Sequence, residues 1–321
     1  MNDLNDVLDI YQEIIVKLDY IPPEEIEGWI TTETGAHIPL RKGETAGQAT
    51  ERWKGEKGGR TPGTIDIEEG NRVRDRVYDR LKNTDFKIVK GVDKLGQSTG
   101  VYIVELPNGS KAIWKEKEGM KPVMLREKMI PREVAAYEVD RMLGVNLSPP
   151  VAMREYGGKE GYLQGFAGKL DPRDLKSPTA ALSRVSNDEI AKAGMMDYVL
   201  NQRDRYVGNF RVTQKPSGDY KLRLIDNSTS FGHEKDKLQA FTFLHEVNKR
   251  KIDISPTIKE RIATITKSQW NNRLSSYLSS KEIDESWERL ENVKRLGLKA
   301  INDLPLPNWK IRRYDEDIGI V

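Results

Sequence analysis

Apolar positions recur along the chain with two periods, and the order of those periods outlines the fold. Residues 3–19 place Leu4, Val7, Leu8, Tyr11, Ile14, Ile15 and Leu18 at helical spacing with acids between them, which predicts one amphipathic helix ended by Pro22-Pro23. GWITTETGAHIPLRKGE (28–44) reads as two short β-like runs around turn residues. Residues 42–64 are rich in Gly, Lys, Thr and Glu, the composition of a linker, and a boundary is expected near residue 62. Helical spacing returns over 66–83 through Ile67, Val73, Val77, Tyr78 and Leu81. Strand-like runs follow at FKIVKGV (86–92), GVYIVEL (100–106) and KAIWKEK (111–117), the last two joined by a Pro107-Asn108-Gly109 turn. A helix is expected over 125–143, then strands at 151–156 and 161–167, a helix at 186–201 and a hairpin of 209–214 with 220–226. Residues 234–302 read as helical, most clearly at 257–266 and 280–301. Strands grouped with one helix, then helices with one hairpin, predict an α+β chain with an antiparallel β lobe followed by a helical lobe.

Composition narrows the possible classes. Of 321 residues, 37% are hydrophobic and 32% charged, which fits a folded body with long charged surface helices. No run approaches ~18 apolar residues, so no membrane-spanning helix is expected. Lys and Arg number 53 against 50 Asp and Glu, a net +3, too balanced for a concentrated nucleic-acid-binding face. There is no Cys, which removes disulfides, thiolate metal sites and Cys nucleophiles and suits a cytoplasmic protein. The three histidines, His37, His233 and His245, sit in no hydrolase or metal motif. Arg72, Arg74, Arg76 and Arg80 crowd one helix, where Asp75 and Asp79 at helical spacing suggest a solvated, self-paired face.

Four polar features carry candidate chemistry. Gly96-Gln97-Ser98-Thr99-Gly100 lies between two strands; it is a hairpin turn as readily as a backbone cradle for phosphate oxygens. Lys115 lies on the same strand face as Ile113 and needs a partner, which Glu133 on the following helix can supply. Asp204 and Asn209, with four residues between them in a loop before a strand, suit proton acceptance and ligation of a hard metal ion. Asp226 ends the apolar run LRLI, where a carboxylate projects into a cleft and suits Mg²⁺. In this order the four make the layout of a kinase-type phosphotransferase.

These segments resemble a known family. PREVAAYEVDRMLGVNLSPP (131–150), GYLQGFAGK (161–169), DYVLNQRDRYVGNFRV (197–212) and LRLIDNSTSFG (222–232) are similar to the bacterial and phage kinases related to phosphatidylinositol 3- and 4-kinases and to HipA-type toxin kinases. The resemblance covers about residues 86–235 and implies a two-lobed protein-kinase-like fold that binds ATP and Mg²⁺. On it, residues 63–321 form the kinase-like domain, with the N-lobe to about 168 and the C-lobe from about 169. Residues 1–62 form an N-terminal extension that offers a surface to a phage- or toxin-system partner. The resemblance implies that Lys115 is the nucleotide-phosphate lysine with Glu133 its ion-pair partner. It implies that Gly96, Ser98, Thr99 and Gly100 lie over the phosphates, and that Gln164 to Ala167, Phe166 included, form the hinge that touches adenine. Asp204 matches the catalytic aspartate, Asn209 the metal-ligating asparagine and Asp226 the main metal aspartate. Two positions depart from the pattern, Tyr206 in place of His and Ser228 in place of Gly. The implied activity is phosphoryl transfer, most simply to Ser or Thr of a protein. The same fold also admits an inactive interaction module or an enzyme that transfers AMP.

Overall fold

The computed structural model describes residues 26–31, 37–56, 74–91, 100–120, 126–167, 182–183, 185–202, 204–205, 207–214, 220–232 and 242–299. The expected helix at 3–19 and the boundary near 62 lie outside them. Among the described residues no helix is long and apolar enough to cross a membrane. Contacts divide the chain into two units, Met1–Val73 and Arg74–Val321.

The first unit holds an antiparallel hairpin, β1 (Ile26–Thr31) and β2 (His37–Arg41), with Ile30 opposite Ile38. Helix α1 (Ala46–Glu56) follows, where composition alone suggested a linker. Its start explains the difference. Thr45 Oγ1 accepts a hydrogen bond from the Gln48 amide at 3.3 Å, and Gln48 Oε1 accepts one from the Thr45 amide at 2.9 Å. This reciprocal cap satisfies two amides that the first turn leaves open.

The second unit opens with helix α2 (74–83). Five antiparallel strands follow, in the sheet order β3-β4-β5-β7-β6. They are β3 (Lys87–Gly91), β4 (Val101–Glu105), β5 (Lys111–Glu116), β6 (Val151–Tyr156) and β7 (Lys159–Gly165). The turn between β4 and β5 closes where expected: the Gly109 amide donates to Leu106 O at 2.8 Å, and Gly109 takes φ 78°, a conformation that favours glycine. The period of two sorts each strand onto two faces. Ala112 and Trp114 of β5 join Leu81, Phe86, Val104, Leu106, Ala152 and Leu163 in one core cluster. The other face carries Ile113 and Lys115, paired in register with Gln164 and Tyr162 of β7. There Val151 and Tyr162 pack against Met129, Ile130, Val134 and Tyr137 of α3 (Arg126–Leu143). Helix α3 therefore covers part of the sheet face that carries Lys115.

The helical lobe is built on α4 (Asn187–Leu200), which is buried along most of its length. Ser186 caps its start by accepting the Glu189 amide, and Asn201 ends it in the left-handed conformation. Gly194 lets α5 (Thr242–Arg250) approach closely, because a Cβ there would lie 2.6 Å from Val247 Cγ2. The hairpin β8 (Phe210–Gln214) and β9 (Tyr220–Leu224) follows α4. Helices α6 (Pro256–Ala263), α7 (Lys267–Leu274) and α8 (Ser280–Leu296) complete the lobe.

The arginine-rich helix corrects one expectation. Arg74 is not on a solvated face; it is 6% exposed. It pairs with the buried Asp140 at 2.5 Å, donates to Ser148 O at 2.8 Å and lies over the Tyr137 ring. Asp75 pairs with Arg141 of α3 instead of with its own helix. A charge this deep requires a partner, and the partner came from a distant helix.

Gly161 shows how closely β5 and β7 approach: a Cβ there would sit 2.4 Å from Lys115 O and from the Trp114 ring. Gly161→Ala should lower stability by about 1–3 kcal/mol, measured as a reduced urea midpoint. An unchanged midpoint would mean that the two strands are not this tightly apposed.

Candidate active site

Four expected residues meet between the sheet and the helical lobe. Lys115, near the end of β5, extends its ammonium to Asp226 Oδ1 at 2.9 Å. Asp226 follows β9 and adopts φ 54°. The Ser228 hydroxyl donates to the same Oδ1 at 3.2 Å, so one departure from the family pattern supplies a donor to the strand-end aspartate. Asn209 is buried in the 3₁₀ turn Val207–Asn209. Its Nδ2 donates to Asp204 O at 2.6 Å and to Asp204 Oδ2 at 3.2 Å. Gln202, fully buried, ties the two loops together. Its Nε2 donates to Asp226 O at 3.2 Å, and its Oε1 accepts the Asp204 amide at 3.0 Å and the Thr229 hydroxyl at 2.6 Å.

The expected Lys115–Glu133 ion pair is not the one formed. Lys115 pairs with Asp226. Glu133, fully buried on α3, accepts from Gln164 Nε2 at 3.2 Å and from Asn227 Nδ2 at 3.4 Å through Oε1. Its Oε2 is buried and has no hydrogen-bond partner among the described residues. Gln164 consequently lies on the Lys115 face of β7, bound to α3, and Phe166 and Ala167 follow the strand end. Gly100, at φ 72°, sits so close to β5 that a Cβ would be 3.1 Å from Glu116. Gly96, Ser98 and Thr99 lie outside the described residues, as does Tyr206.

Charge compensation shapes the titration of the site. Burial pushes the Lys115 ammonium down, but Asp226, then Tyr162 and Glu133, outweigh it and hold it well above its ordinary value. Burial also pushes Asp226 up, yet Lys115, the Ser228 hydroxyl and Arg205 together keep it below the usual carboxylate range. Partial burial, with Asp226 beside it, raises Asp204 to about 6 even though the residue reaches solvent. Burial and then Asp226 raise Glu133 to about 7, against the pull of Lys115 and Arg205.

The donor set fits a hard divalent cation. Asp226 Oδ2 and Asn209 Oδ1 accept no hydrogen bond from the described residues, whose bonds go to the other atoms of these two side chains. Among the described residues no three or more His, Cys, Asp and Glu side chains converge as a metal cage. One carboxylate and one amide oxygen are ligands of the type that hard divalent cations take.

Two residues here carried no role in the sequence reading. Arg205 is fully buried and pairs with Asp197 of α4 at 2.9 Å. Asn227 lies between Arg205, whose Nη2 donates to Asn227 Oδ1 at 2.6 Å, and Glu133. A signal for Arg205 was available: Asp197 interrupts the apolar run MMDYVL, and a carboxylate in a buried helix requires a cation.

No family model and no curated protein matches the sequence. The fold is similar to that of a Golgi casein kinase, with a TM-score of 0.51 and 13% identity over 73% of this chain and 77% of that one. A Golgi casein kinase structure with Mn/ADP bound aligns with a TM-score of 0.48 and 13% identity over 93% and 88% of the two chains. The Helicobacter pylori proinflammatory kinase CtkA aligns at 0.40 and 12% identity over 69% of this chain and 95% of that one. The chain therefore has a two-lobed kinase-like α+β fold.

Two outcomes test these electrostatics. Replacing Asp226 with Asn removes a negative neighbour, so Asp204 should titrate below its value of about 6, read by carboxyl NMR; an unmoved Asp204 would remove Asp226 as a cause. Glu133 rises from 4.5 to about 7 on folding, so the folded state binds the extra proton between those values. The stability this group contributes is complete below the lower value and lost as pH rises through the upper one. Glu133→Gln should flatten that part of the stability profile in denaturant titrations, and an unchanged slope would contradict the assignment.

Proposed function

We propose that this chain is an ATP- and Mg²⁺-dependent phosphotransferase whose acceptor is a Ser or Thr hydroxyl of a protein. The observation that carries the reading is the convergence of Lys115, Asp226, Asn209 and Asp204, from a strand and two loops, with Asp226 Oδ2 and Asn209 Oδ1 accepting no hydrogen bond from the described residues. The kinase-like fold supports it, as does the resemblance of the motifs to phosphatidylinositol-kinase and HipA-type kinases. The absence of a polybasic amphipathic helix in the sequence favours a protein acceptor over a lipid.

In this reading the Lys115 ammonium, cationic at any physiological pH, binds the nucleotide phosphates. Asp226 and Asn209 hold Mg²⁺, which when bound neutralises charge on the phosphates. Gly96, Ser98, Thr99 and Gly100 cover the phosphates, while Gln164 and Phe166 border the base. Asp204 orients the acceptor hydroxyl and takes its proton. Its pKa of about 6 leaves it ionised at neutral pH, yet more basic than an ordinary aspartate. Residues 1–62 stand outside this chemistry and are assigned to binding a partner.

The decisive experiment supplies ATP labelled at the α or the γ phosphorus, with Mg²⁺, to the wild type and to Asp226→Ala. Label should move from the γ position to protein and fail to move in the variant. Transfer of α label would establish AMP transfer, and ATP binding without either would establish an interaction module. Asp204→Asn should lower kcat by about 10²–10⁴-fold with little change in ATP affinity. It should also abolish the rise in activity through pH 6 expected of the wild type.

A further inference from the structure

Arg132 stands beside Glu133 on α3 but is bound to the other lobe. It is 6% exposed. Its Nε and Nη2 both donate to Glu282 Oε1, at 3.1 and 2.7 Å, and Nη2 also reaches Phe231 O at 3.5 Å. Glu282 is the third residue of α8, and its two oxygens are divided between two tasks. Oε2 accepts the Ser279 amide at 2.9 Å and the Ser279 hydroxyl at 2.7 Å, closing the capping box of the helix. Oε1 is left for Arg132. Phe231 ends the turn that leaves Asp226; it adopts φ 61°, and its amide donates to Leu200 O at 2.7 Å.

One guanidinium thus joins the helix that carries Glu133, the turn that follows Asp226 and the first turn of α8. Burying two charges costs free energy that apolar contact would not. What an ion pair adds is direction: it admits one register between α3 and the helical lobe. We propose that Arg132 is a positioning residue, whose buried pair with Glu282 anchors α3 to the helical lobe and so sets Glu133 against Gln164 and Asn227 behind the Lys115–Asp226 pair. The kinetic consequence rests on the phosphotransferase reading; the anchoring does not, and it can be measured without nucleotide.

The test compares Glu282→Gln with the double variant Arg132→Met, Glu282→Gln. Gln retains the capping role at this position, so α8 still starts, but the single change leaves Arg132 buried without its counter-charge and should lower stability. The double change removes both charges and should recover most of that loss. Amide hydrogen exchange in α3 should nonetheless be about tenfold or more faster in the double variant than in wild type. Its kcat/KM for ATP should fall by about tenfold or more. A double variant with wild-type stability, wild-type α3 protection and wild-type kcat/KM would overturn the proposal, leaving the pair a structural contact alone. In the wild type, the Arg132 Nε–H and the α3 amides should exchange with a common opening rate. Independent opening would equally overturn the anchoring, and this measurement requires no variant to fold. Should the wild type show no ATP turnover, the phosphotransferase reading fails, while the exchange data still decide the anchoring.

Discussion

A guanidinium with no access to solvent holds the two polar loops of this protein in place. Arg205 donates from Nε to both oxygens of Asp197, at 3.0 and 3.2 Å. It donates from Nη1 to Asn209 O at 2.6 Å and to Ile225 O at 2.9 Å, and from Nη2 to Asn227 Oδ1 at 2.6 Å. Its acceptors therefore lie on α4, at Asn209 itself and on both sides of Asp226. The planar fork of arginine can satisfy acceptors in several directions at once, which a lysine ammonium cannot do with the same geometry. Loss of one member of such a buried pair typically costs about 3–5 kcal/mol, because the remaining charge stays desolvated.

That constraint explains how strained and mutually repulsive groups persist side by side. Asp226 adopts a left-handed backbone conformation, which is unfavourable for a residue with a Cβ. The bonds that hold it come from Gln202 to its own carbonyl and from Arg205 to its neighbours. Glu133, Asp226 and Asp204 bring three acids near one another, and each of the other two is raised in part by the Asp226 charge. Lys115 and Arg205 offset this, so Asp226 alone among the three is held low. The site thus separates its carboxyls into a firmly ionised one beside the lysine, one poised near pH 6 at the solvent edge and one near pH 7 in the interior. Such separation is what allows similar side chains to perform different tasks.

Much of the architecture was legible because strand and helix periods are local properties. The alternation in KAIWKEK places Lys115 on the face opposite Trp114, and the pairing of β5 with β4 and β7 bears that out. The Pro107-Asn108-Gly109 turn, the apolar α4 and the hairpin ending at Asp226 follow from residues within a few positions of one another. Residues 46–56 were less legible, because the cap made by Thr45 and Gln48 outweighs a polar, glycine-containing composition.

Partner choice was not legible, because it depends on which distant elements meet. A lysine on an apolar strand face announces that it needs an acid. That the acid is Asp226, 111 residues away, and not Glu133, was decided when the β9 turn closed against β5. The helical stripe of arginines at 74–80 reads as a solvated face until α3 supplies Asp140 and Arg141. The sequence by itself determined most of the strands and helices from Arg74 onward, their order and the residue types capable of chemistry, since these follow from short-range periodicity and side-chain functional groups. Only the tertiary structure decided which charges neutralise one another and which groups hydrogen-bond each carboxylate, because those depend on distances of a few ångströms between segments far apart in the chain.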